Sequence, residues 1–255
     1  LVGSRGTGKT TLLKALNWDE RIHSSSLQQQ LNGELFSQRY VGVYLKLPEI
    51  QLETFDKWLS KKDDNLYGIT LGLFLDLIWL ELVADAIAEL TVRNIFSGKP
   101  SQEHDCIEKV MLKHSDVLRA HLPEKGPFTM KQFAAAIGNL KRDLEKLAIL
   151  KADPKEIVDR FPLGQIGSFG RFVSKSLTEF CDIGLAAGEK GWHFKICMDE
   201  GECLNPFQQR VLNTAIRLGE WPAVFVVAFV SLPEDPIRTL LPCLTIQKAD
   251  CRLQN

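Results

Sequence analysis

Two rhythms of apolar and polar residues alternate along the chain. Near the front, Leu12, Leu13 and Leu16 share one face at helical spacing, which predicts a helix over residues 9–17. Residues 40–47 (YVGVYLKL) alternate instead, are partly β-branched and stop at Pro48, which predicts a strand. From 49 to 185 the helical rhythm takes over. It predicts helices at 52–60, 69–97, 103–121 and 129–152, broken at 98–100, 123–127 and 153–154 by Gly, Pro and Asp-Pro. A glycine-rich stretch, 162–170, then leads into a helix from Arg171 to about Ala187. After 191 the strands return. Residues 192–198 and 223–230 are apolar runs, and 205–218 between them reads as a helix with Asn205 as cap and Pro206 in its first turn. Residues 244–247 are compatible with the start of another strand. Strands alternating with helices predict a parallel sheet covered on both faces.

Charge and composition narrow the class. The longest apolar stretch, 69–96, contains Asp76, Glu81, Asp85, Glu89 and Arg93, so it reads as a long buried helix and not a bilayer span. The 255 residues are 45% hydrophobic and 25% charged, enough for one large core or two small ones. A net charge of −1 gives no bulk case for nucleic-acid binding. Cysteines at 106, 181, 197, 203, 243 and 251 form no CxxC pair and have no His at zinc spacing. With no signal peptide in view, they read as reduced, mostly buried thiols of a cytoplasmic protein. The chain opens on Leu1-Val2 without Met, where a strand of about five residues normally leads into a glycine loop. The expectation is a piece of a longer protein, lacking residues that would touch a base from upstream.

The chemistry sits first in that loop. Gly3-Ser4-Arg5-Gly6-Thr7-Gly8-Lys9-Thr10 matches G-x-x-x-x-G-K-[ST] at every fixed position. A triphosphate concentrates negative charge, so it needs many donors with no side chains in the way. Glycines let the backbone curl around it, and the following helix offers its positive end. Lys9 is expected on the β- and γ-phosphates, the Thr10 hydroxyl on Mg²⁺ and Thr11 on the α-phosphate. No guanine-reading N/T-K-x-D stretch occurs, which favours ATP.

A second signal is the apolar strand that ends in Asp199-Glu200. Such a strand is expected beside the loop strand, with its carboxylates at the metal. Asp199 would hold Mg²⁺ through water, and Glu200 would polarise the attacking water as general base. Two acids at a buried strand end are costly without a cation. Because 189 residues separate Thr10 from Asp199, the helices between them must form a large insertion. The expected division is a core of 1–48 with 190–255 and a helical insertion of 49–189, where partner specificity would lie.

Further along, Ser231 follows the strand 223–230 and is a candidate for orienting water beside the γ-phosphate. Arg238 is a candidate arginine finger for a neighbouring subunit's ATP, set against a plain surface arginine. Gln208, Gln209 and Arg210 read as solvent or interface residues, and His193 as packed within its strand. Glu81, Asp85 and Glu89, four apart, read as a solvated face, with a basic partner as the sharper alternative. Lys141, Arg142, Lys146, Lys151 and Lys155 are interleaved with acids and support DNA contact only weakly.

Together, the loop 3–10, Tyr40-Val41-Gly42-Val43-Tyr44, Asp199-Glu200 and the run 208–217 (QQRVLNTAIR) resemble the prokaryotic ATPases grouped with origin-recognition-complex-type AAA+ proteins. The resemblance implies a doubly wound α/β core of strand order 5-1-4-3-2, ATP and Mg²⁺ binding, and nucleotide-dependent assembly into a homo-oligomer. It carries over onto Lys9, Thr10, Asp199 and Glu200, with Ser231 at a sensor position. Some relatives lie among anti-phage defence genes, which leaves a defence role open. A rival resemblance is to ABC-type ATPases of the repair and OLD-nuclease groups, through Asp199-Glu200-Gly201-Glu202-Cys203-Leu204-Asn205-Pro206. Against it, residues 163–168 match an LSGGQ signature poorly, and Arg5-Gly6-Thr7 stands where Asn-Gly is usual. The expected function is an ATPase that switches conformation or assembly state. A nucleotide-gated sensor or scaffold with an unidentified protein partner, and a DNA-engaging motor, are the alternatives.

Overall fold

Parallel strands form at the apolar runs near 40, 193 and 223, but their order is not the one that local pattern suggests. A computed structural model describes residues 1–4, 6–30, 39–60, 63–95, 100–114, 120–123, 127–161, 171–181 and 192–230. In chain order the elements are β1 (Val2–Gly3), α1 (Lys9–Leu16), α2 (Trp18–His23), α3 (Ser25–Gln30), β2 (Tyr40–Lys46), α4 (Leu52–Leu59) and α5 (Asp64–Val92). They continue as α6 (Pro100–His114), α7 (Met130–Leu150), α8 (Pro154–Arg160), α9 (Arg171–Phe180), β3 (His193–Asp199), α10 (Pro206–Leu218), β4 (Ala223–Val227) and β5 (Phe229–Val230).

β2, β3 and β4 pair in parallel in that order, and β1 pairs in parallel with β5. The run 223–230 is therefore two strands, with a change of partner at Ala228. The Ala228 N–H still donates to the Met198 carbonyl on β3, at 2.9 Å, whereas the Phe229 N–H donates to the Leu1 carbonyl, at 2.9 Å. This corrects the expected adjacency of the acidic strand and the loop strand. β4 occupies the edge of β3 from Phe194↔Ala223 to Met198↔Val227, and among the described strands β1 pairs with β5, not with β3. With β4 and β5 counted as one interrupted strand, the order β1, β5/β4, β3, β2 agrees with four of the five positions that the family resemblance implies.

The pleat sorts the side chains of this sheet onto two faces. On one face Leu13 and Leu16 of α1 pack with Tyr44, Cys197, Val226 and Ala228. On the other, Val41, Val43, Phe194, Ile196 and Met198 join one apolar cluster with α4, α5, α7 and α10. From Thr70 to Leu80 every residue of α5 is buried, so this stretch is apolar on nearly every face, as an enclosed helix must be. α5 packs on α4, α7, α9, α10 and β2. Among the described residues no helix is long and apolar enough to cross a membrane. The helix begins at Asp64, five residues before the apolar run, because the Asp63 carboxylate accepts the N–H groups of Asn65 and Leu66.

Three polar expectations change on packing. Glu81 is not part of a solvated face, since its carboxylate pairs with Lys141 of α7 in a half-buried contact; Asp85 and Glu89 are exposed. Three of the five residues of the basic cluster are engaged, Lys141 with Glu81 of α5, and Lys146 with Asp143 and Arg142 with Asn139 within α7. Gln208 is buried, not a solvent residue, because it closes a capping box with Asn205 at the start of α10. The expected strand at 244–247 and the helix beyond residue 181 lie outside the described residues.

Candidate functional site

The loop after β1 is shaped by its glycines. Gly6 and Gly8 have φ of +81° and +77°, left-handed values that cost an L side chain strain, and Gly8 is the N-cap of α1. The Thr7 hydroxyl donates to the Ser4 carbonyl at 2.9 Å. Lys9 folds back over the same loop, its ammonium donating to the Gly3 and Ser4 carbonyls at 2.6 and 2.7 Å and to Thr7 Oγ1 at 3.1 Å. Arg5 lies outside the described residues.

Thr10, one residue into α1, reaches β3. Its hydroxyl donates to Asp199 Oδ2 at 2.7 Å. The same oxygen accepts the Tyr44 hydroxyl at 3.0 Å, and Asp199 Oδ1 accepts the Glu200 N–H at 2.9 Å. Asp199 is only 3% exposed. Burial, and then the hydrogen bond to Asp199, push the Tyr44 phenol well above its ordinary value, so it remains a donor. Glu200 turns the chain at φ +59°, a left-handed value for a residue with a side chain. Its carboxylate meets Lys46 of β2 at 3.1 Å, and that contact raises the Lys46 pKa. Glu202 accepts the Val230 N–H at 3.1 Å and so ties the acidic turn to β5.

The loop and the acidic turn line one cleft of about 540 Å³, walled by Gly6–Thr11, by Asp199, Glu200 and Glu202, and by Ala228–Val230. Loop and carboxylates are thus brought together across 189 residues of sequence. The chain matches the family model described as ORC-CDC6-like over residues 1–242. It belongs to the ORC-CDC6-like family. No curated protein and no solved structure matches it. Membership brings with it the P-loop AAA+ fold and ATP binding in general terms, and favours the AAA+ resemblance over the ABC-type one.

For this ORC-CDC6-like chain, Gly6, Thr7, Gly8, Lys9, Thr10, Thr11, Asp199 and Glu200 all lie at the cleft, and Gly3 and Ser4 hold Lys9. Ser231 and Arg238 lie outside the described residues. Tyr44 and Lys46 were not singled out from sequence. Both stand on the face of β2 that carries Asp199 on β3, since Lys46 pairs in register with Asp199 and Tyr44 with Cys197. Two polar side chains at alternate positions near a strand's C-terminal end were the available signal. His193 packs between Tyr40 and Trp221, at ring distances of 5.6 and 5.1 Å, and burial lowers its pKa. It lies at the opposite end of β3 from Asp199, as its reading as a packed residue requires.

Proposed function

We propose that this cleft binds ATP with Mg²⁺ and hydrolyses it, and that the cycle switches the protein's conformation or assembly state. The observation that carries this reading is the Thr10–Asp199 hydrogen bond at 2.7 Å beside the glycine loop. The donor set fits a small hard cation: a hydroxyl and a carboxylate supply oxygen, with water and phosphate oxygens left to complete the shell. Thr10 and Asp199 would hold Mg²⁺, which supplies charge neutralisation at the phosphates when bound. Phosphate oxygens would compete with the Gly3 and Ser4 carbonyls for Lys9, an exchange of neutral acceptors for charged ones. Thr11 would donate to the α-phosphate.

Glu200 is assigned to orient and deprotonate the attacking water. Its pairing with Lys46 is exposed and screened, so it does not commit the carboxylate. Ser231, one residue beyond cleft-lining Val230, is assigned to the water-sensing position, and Arg238 to a neighbouring subunit's site in a homo-oligomer. Residues 1–48 and 190–255 are assigned to the nucleotide-binding, doubly wound core, and 49–189 to a helical insertion that meets a protein partner. The work coupled to hydrolysis falls in anti-phage defence or DNA transactions.

A second reading is a nucleotide-gated sensor with negligible turnover, in which Glu200 would stay beside Lys46 and deprotonate no water. Phosphate release from ATP, measured with Mg²⁺ or with EDTA and with or without double-stranded DNA, separates the two. Mg²⁺-dependent turnover is expected, and DNA stimulation would mark a DNA-engaging machine. ATP bound with no release in any condition would establish the sensor instead.

A further inference from the structure

We propose that Tyr44 is a positioning residue for the metal-holding pair, its hydroxyl fixing the Asp199 carboxylate in the orientation in which Thr10 and Asp199 together take a divalent cation. The proposal rests on the Mg²⁺-nucleotide reading above and concerns a residue on a different strand from either partner. Tyr44 pairs in register with Cys197, so Asp199 is its diagonal neighbour on the same sheet face. Such a diagonal spans about 7–8 Å between Cα atoms, within reach of an aromatic side chain and beyond a short one. The phenol bridges it and donates to Asp199 Oδ2 at 3.0 Å.

That oxygen also accepts the Thr10 hydroxyl, at 2.7 Å, while Oδ1 accepts the Glu200 N–H, at 2.9 Å. A carboxylate offers about four acceptor sites, so three are filled from three different directions. Rotating the group would break all three contacts at once. Thr10 donates its hydroxyl hydrogen bond to Asp199, which leaves its oxygen lone pairs for a cation, and the free site on Asp199 can take a cation-bound water. Without the Tyr44 hydroxyl, Oδ2 keeps Thr10 alone and the carboxylate can swing. The ring itself packs with Leu13, Cys197 and Ala228, so Phe would retain the packing and remove only the oxygen.

The test is a Mg²⁺ titration of the purified protein with a fluorescent, non-hydrolysable ATP analogue, paired with analogue binding in EDTA. Tyr44→Phe is expected to raise the Mg²⁺ midpoint about three- to tenfold, as loss of one ordinary hydrogen bond would, and to leave binding in EDTA unchanged. Cys197→Ala, which trims the packing under the same ring, is expected to move neither. An unshifted midpoint in Tyr44→Phe, an equal shift in Cys197→Ala, or equal weakening with and without Mg²⁺ would overturn the proposal. So would a wild type that binds the analogue with no Mg²⁺ dependence, which leaves the nucleotide reading standing. A wild type that binds no analogue at all overturns the nucleotide reading itself.

Discussion

Glu200→Gln is expected to bind Mg²⁺-ATP as well as the wild type and to turn it over about 10²–10⁴-fold more slowly. The substitution is nearly isosteric. It keeps the left-handed backbone at Glu200 and the N–H that donates to Asp199, so the carboxylate beside it stays oriented. What it removes is the proton acceptor. It also removes the charge that pairs with Lys46, which leaves a cation near the cleft and does nothing to weaken a polyanion. Trapped, uncleaved ATP is the expected signature in a single-turnover experiment. Native-rate release by the variant would mean that another group performs the step, with Glu202 the carboxylate of the cleft that is not assigned to the metal.

Gly42→Ala has the largest expected effect on folding. Gly42 lies on the β2 face beneath the end of α1, and a Cβ there would land on the Leu16 carbonyl oxygen, inside any van der Waals contact. The obstacle is backbone and cannot rotate aside. Either α1 lifts or β2 bends, and overpacking of this kind costs about 3 kcal/mol, the upper end of its usual range. For a chain of this size that is a fall in melting temperature of roughly 6–12 °C. Since α1 carries Lys9 and Thr10, nucleotide affinity should fall with it. A thermal melt within about 1 °C of the wild type would show that the helix can move freely and that the close approach is incidental.

The two chemical signals were legible because each is local. A phosphate loop needs glycine, lysine and a hydroxyl within eight residues, and β3 places two carboxylates in succession at its C-terminal end. The long helices and the cap at Asn205 are local too. Strand order is not local. Nothing in the run 223–230 marks Ala228 as the point where one edge is exchanged for another, since both halves are equally apolar. α2, α3 and α8 have six or seven residues each, too few to show a helical period. Tyr44 escaped for a related reason. As part of a well-patterned strand it reads as core, and its role appears only when Asp199, 155 residues later, is folded beside it. Glu81 looked solvated until α7 supplied Lys141. In each case the missing information was a partner far away in sequence.

The central claim is that the loop of residues 3–11 binds a nucleoside triphosphate through Lys9. Calorimetric titration of wild type and Lys9→Ala with a non-hydrolysable ATP analogue and Mg²⁺ tests it most directly. Lys9 is the loop's one cation among the described residues, and its ammonium is able to make charge-assisted bonds to phosphate oxygens. One-site binding by the wild type, weakened about 100-fold or more in Lys9→Ala, is the predicted result. Equal binding by the two proteins, or none by the wild type, would contradict the account.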